Sequence, residues 1–77
     1  MNLKYDLEYK QLGLKIAYFR KLSGLTQEQL AEKIEKSVAF IGHVEAPNID
    51  KAISLDTLFA ISEALGVPAY KFLVFDD

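Results

Sequence analysis

Apolar residues recur at helical spacing along most of the chain, and residues that start or stop helices stand between the apolar stripes. Leu12, Ile16 and Phe19 lie at i, i+4 and i+7, the buried face of a helix that Asp6 is placed to cap and that runs to about Leu22. Ser23-Gly24 ends it, with Gly24 suited to a left-handed closing position. Thr26 opens a second helix over Gln27 to about Glu35, with Gln29 placed to complete a capping box and Leu30, Ala31 and Ile34 facing inward. Ser37 caps a third, Val38 to Glu45, which turns Ile41 and Val44 inward and breaks at Ala46-Pro47-Asn48. After a loop to Ile53, Ser54 caps a fourth helix, Leu55 to Leu65, whose stripe is Leu55, Leu58, Ile61 and Leu65. Gly66 ends it, and Pro68 suits the first turn of a fifth short helix reaching about Leu73.

This pattern predicts an all-α, compact five-helix bundle, with residues 1–77 forming one domain. A second reading stays open at the ends, where Leu3, Tyr5, Leu7 and Tyr9, and again Tyr70, Phe72 and Val74, alternate as a strand would. The chain has 77 residues, 51% apolar and 26% charged, which is too apolar for disorder. No apolar run approaches the roughly 18 residues of a membrane span, and no apolar leader precedes Lys10, so a cytoplasmic protein is expected.

Composition narrows the chemistry further. Without cysteine there is no disulfide framework, thiol nucleophile or zinc finger. The lone histidine, His43, stands two residues from Glu45 and so points to another helix face, a poor start for a metal site. No paired acid and base, nucleophile or phosphate loop is present, so no enzyme and no cofactor is expected. The formal charge is −2, which is not that of a generic polyanion binder. Yet from Lys10 to Lys51 seven Lys/Arg outweigh five acids, leaving the middle of the chain weakly positive between acidic ends.

The few residues between Ile34 and Val38 give a helix-turn-helix spacing, in which the second helix can enter a DNA major groove. Around it stand Leu12-Gly13, Ile16, Phe19-Arg20-Lys21, the run Gly24-Leu25-Thr26-Gln27-Glu28-Gln29-Leu30-Ala31-Glu32-Lys33-Ile34, Ser37, Ile41, Val44-Glu45, Ser54-Leu55, Leu58, Ile61 and Ala64-Leu65-Gly66-Val67. From about Leu12 to Leu73 the sequence resembles the phage-repressor (Cro/repressor, XRE) helix-turn-helix family. The resemblance implies a lambda-repressor-like DNA-binding domain, a transcriptional regulator that works as a homodimer on double-stranded DNA.

The same resemblance implies residue roles. Gln27, at the start of the second helix, corresponds to a phosphate contact, consistent with the partial positive charge of a helix N-terminus. Lys36, Ser37, Asn48 and Lys51 are further phosphate candidates; for each lysine a solvated surface charge is the other reading, and for Ser37 capping. Val38, Ala39 and His43 occupy the base-facing positions. Arg20 and Glu45 match a structural salt bridge between the first helix and the end of the third.

The chain departs from the family where Glu35 and Lys36 replace the usual Gly and small apolar residue, and in a loop about two residues longer before Ser54. It also departs in its readers, because none of the Arg, Gln, Asn or Ser side chains that bond base edges follows the Ser37 cap. A second functional reading follows from this: a protein-interaction module or antitoxin on the same scaffold. Leu14 and Tyr18, together with Phe72, Leu73, Val74 and Phe75, exceed what a small core hides. Either the two termini cover one another or these residues form a homodimer interface. There is no room for a small-molecule domain.

Overall fold

The computed structural model describes residues 4–49 and 51–75. Four α-helices are followed by one 3-10 segment: α1 (Asp6–Leu22), α2 (Gln27–Lys33), α3 (Val38–Glu45), α4 (Leu55–Leu65) and the 3-10 turn Ala69–Leu73. The described residues contain no strand: Leu7 and Tyr9 lie in α1 with Tyr5 at its N-cap, and Tyr70 and Phe72 lie in the 3-10 turn with Val74 extended just after it; Leu3 lies outside the described residues. The expected fifth α-helix is a 3-10 turn, with Pro68 at its N-cap instead of in its first turn. Proline's fixed φ of −56° with ψ of 140° sets an extended entry there, and Lys71 N–H closes the turn on the Pro68 carbonyl.

Local chemistry places the other boundaries. Thr26 and Gln29 form the reciprocal capping box, each side chain bonding the other's backbone N–H at 3.0 and 2.9 Å. Ser37 Oγ accepts from Phe40 N–H at 3.0 Å, and Ser54 Oγ from Thr57 N–H at 3.1 Å. The start of α1 differs from expectation. Tyr5, not Asp6, is its N-cap, and it makes no side-chain cap bond. Asp6 stands inside the first turn, where its charge with that of Glu8 complements the helix dipole.

α1 closes on Gly24 at φ +79°, as its sequence indicates. α2 closes in the same way on a residue with a Cβ. Glu35 is the only non-glycine described with positive φ, +59°. Lys36 N–H bonds the Ala31 carbonyl at 2.9 Å and Glu35 N–H the Glu32 carbonyl at 3.2 Å, a Schellman closure. α2 therefore ends at Lys33, two residues before the expected Glu35, and the turn to α3 stays tight.

One cluster forms the core, drawing Leu12 and Ile16 from α1, Leu30 and Ala31 from α2, Ile41 and Val44 from α3, and Leu58, Ile61 and Leu65 from α4, with Ile34 and Phe72. Phe72 is fully buried with its ring edge-on to Phe19 at 5.1 Å, and Phe75 packs on the same cluster. The C-terminal segment thus covers part of the core beside α1, while Leu73 and Val74 remain exposed. Leu55 does not belong to the buried stripe: it is 64% exposed, and Thr57 is buried instead. At 100° per residue Leu55 falls about 100° from the centre of the face set by Thr57, Leu58, Ile61 and Leu65. Gly13 lets α1 and α3 touch, since a Cβ there would stand 2.0 Å from the Val44 carbonyl oxygen.

Candidate nucleic-acid interface

α3 packs between α2 and α1, and the pattern of its side chains divides it cleanly. Ile41, Val44 and Glu45 face the interior, while Val38, Ala39 and His43 are exposed on the other side. The three residues placed at base-facing positions therefore share one open surface, and none of the chain's own described elements covers it.

The angle of α3 is held at its C-terminal end by charge. Arg20 Nε donates to Glu45 Oε2 at 2.7 Å and Arg20 Nη2 to Glu45 Oε1 at 3.0 Å, a two-pronged pair between residues that are both more than nine-tenths buried. Arg20 Nη1 also donates to the Leu25 carbonyl at 2.7 Å. The pairing expected of Arg20 and Glu45 is present. Gln27 adds a connection that local sequence patterns do not show: its Nε2 donates to Glu45 Oε1 at 2.9 Å. The first turn of α2 is thus tied to the last turn of α3, and Gln27 sits beside α3 with one amide donor already engaged.

At the opposite end of α3 the positive charges converge. Lys36, in the turn, has its Nζ 5.4 Å from the centre of the Phe40 ring, and Lys51, in the loop after α3, has its Nζ 5.1 Å from the same centre. Phe40 brings together two cations fifteen residues apart in sequence and sets them next to the exposed start of α3. Local sequence patterns do not single out Phe40; the signal available is an aromatic residue on a helix flanked by basic loops. Ser37 is exposed with its hydroxyl on the Phe40 N–H, and Asn48 is exposed in the loop. Acids stand close as well. Glu28 and Glu32 of α2 line a shallow groove with Lys36 and Val38, and Asp56 borders another with Lys36. The positive field at α3 is therefore local and narrow.

The described residues hold no group of three or more His, Asp or Glu placed for a metal ion. None of their helices is long and apolar enough to cross a membrane.

A family model described as helix-turn-helix matches residues 16–72, most of the chain, taking in the C-terminal part of α1 with Arg20 and all of α2, α3 and α4. Among solved structures, the chain is similar to a hypothetical transcription factor, NHTF, from Neisseria, with a TM-score of 0.79 and 27% sequence identity over 96% of this chain and 84% of that one. No match was found among the curated proteins.

Proposed function

Starting from the fact that the chain belongs to the XRE-type helix-turn-helix family, we propose that it is a transcriptional regulator that binds double-stranded DNA sequence-specifically, as a homodimer, with α3 in the major groove. The observation that carries this reading is the open Val38, Ala39 and His43 surface with Lys36 and Lys51 gathered beside it on Phe40. Phosphates along one wall of the groove meet Lys36 and Lys51, with Ser37 and Asn48 adjacent. Gln27 keeps a second amide hydrogen for a phosphate while the first holds Glu45. Val38 and Ala39 offer methyl groups to thymine, and His43 offers a ring nitrogen to a guanine acceptor.

Such a reader set discriminates mainly by shape and methyl contact, and it calls for two copies to reach useful specificity. Two recognition helices on a two-fold axis read half-sites about 34 Å apart. Selection of bound duplexes from a random pool tests the reading. It predicts enrichment of an inverted repeat with thymines in each half-site; a pool that stays unenriched after repeated rounds at low salt would overturn it.

A further inference from the structure

We infer that Gln27 reads a base: its Oε1, held over Gly42, accepts a hydrogen bond from the exocyclic amino group of an adenine or cytosine in the major groove. The inference rests on the DNA-binding reading above. It gives α3 a polar reader that its own sequence lacks, supplied from α2.

The tether to Glu45 fixes which end of the Gln27 amide faces out. Both oxygens of Glu45 accept from Arg20, and a carboxylate has no hydrogen to give. The amide therefore turns Nε2 toward Glu45, at 2.9 Å, and Oε1 away from it. Oε1 then stands 3.8 Å from the point where a Cβ on Gly42 would sit. No donor among the described residues reaches this oxygen. Nor is it enclosed, because no buried side-chain oxygen or nitrogen among those residues lacks a partner. Gln27 thus presents an open acceptor whose direction is set by a buried ion pair.

Gly42 decides where that acceptor lies. At 100° per residue it falls between Val38 and Ala39 around α3, about 40° from one and 60° from the other, and about a turn farther along. It therefore belongs to the surface that carries the base-facing residues. Having no side chain, it leaves Oε1 uncovered. Phe40, with the two lysines on its ring, lies about 160° round from Gly42, so those cations do not screen the acceptor.

An oriented acceptor has few partners on a duplex. Phosphate oxygens, guanine O6 and N7, and thymine O4 are acceptors themselves and gain nothing from it. The donors on the major-groove edges are adenine N6 and cytosine N4. The second hydrogen on Nε2 stays available to a phosphate.

The test takes a duplex selected from a random pool and deletes its amino groups one at a time. Each adenine of a half-site is replaced by purine and each cytosine by pyrimidin-2-one, bases that lack only the exocyclic amino group. Competition titrations with the wild-type chain should show one position where affinity falls roughly fivefold beyond the others. Whether that position holds an adenine or a cytosine identifies the base. Gln27→Lys still donates to Glu45 but has no acceptor, so it should bind the intact and the substituted duplex alike. Gln27→Met should do the same, with circular dichroism showing that both variants keep their helices. Lys36→Ala and His43→Ala should retain the fivefold difference. Each comparison is a ratio within one variant, so general changes in affinity cancel. The wild-type scan needs no variant: indifference to every deleted amino group overturns the inference by itself. So does a difference that persists in Gln27→Lys, and either result leaves the DNA reading standing. A pool from which no duplex is enriched removes both.

Discussion

Gln27 and Arg20 share one carboxylate: both donate to Glu45 Oε1, at 2.9 and 3.0 Å, and so join α1, α2 and α3 at a single buried charge. Removing one partner leaves the other charge buried and unmatched. Arg20→Met or Glu45→Leu should each cost about 3–5 kcal/mol, measured as a lowered urea midpoint at unchanged slope. The double variant should recover much of that loss, because a well-packed apolar pair replaces the ions. Gln27→Ala should cost about 1.5–3 kcal/mol, the worth of a single bond to a charged acceptor. Equal losses for the double and single variants would mean that the pair itself supplies net stability.

Glu35 closes α2 at φ +59°, where a Cβ is strained by roughly 1–2 kcal/mol. Glu35→Gly should therefore stabilise the chain by about 1 kcal/mol after the greater freedom of glycine in the unfolded state is subtracted. Thermal melts check this: a midpoint several degrees higher is expected, and an unchanged one would show that the Schellman closure tolerates Glu35 without strain.

Gly42 separates folding from binding. Among the described residues a Cβ there would meet only Gln27 Oε1, at an ordinary 3.8 Å, so none of the described contacts requires glycine. Gly42→Ala should raise stability by about 1 kcal/mol through helix propensity alone. On the DNA-binding reading it should also weaken binding, because the missing side chain lets α3 approach the duplex closely. Tighter binding by the alanine variant would remove that role from Gly42.

Phe40 should act on DNA through the two lysines it gathers. Phe40→Leu keeps an apolar residue on α3 but removes the ring face, so affinity should fall while Phe40→Tyr retains it. Neutralising the neighbouring acids should act in the opposite sense. Glu28→Gln and Glu32→Gln remove charges beside Lys36 and should strengthen binding to every duplex alike. Anisotropy titrations of these four variants against one duplex read both effects.

The features legible in sequence were those in which partners lie within a turn or two of one another. Thr26 with Gln29, the Ser37 and Ser54 caps and the Gly24 closure each depend on three or four consecutive residues, and each stands where the sequence places it. Leu55 begins its helix, where the three-residue spacing to Leu58 does not say how far the core extends. Asp6 is a cap by residue type alone, and the helix begins one residue earlier. The fifth helix is a 3-10 turn of five residues entered from extended Pro68, with Phe72 buried against Phe19. The link from Gln27 to Glu45 and the meeting of Lys36 with Lys51 on Phe40 span eighteen and fifteen residues, and only the packed arrangement of α2, α3 and the following loop creates them.

The most direct test is the salt dependence of binding to a duplex selected from a random pool, measured for the wild type, Lys36→Ala, Lys51→Ala and His43→Ala. Affinity should fall linearly on logarithmic axes as salt rises, and each lysine substitution should reduce the slope by about 0.9, one phosphate contact each. His43→Ala should leave the slope unchanged and alter preference at one base position. Absence of binding at micromolar protein in low salt, or binding indifferent to all three substitutions, would contradict the placement of α3 against DNA.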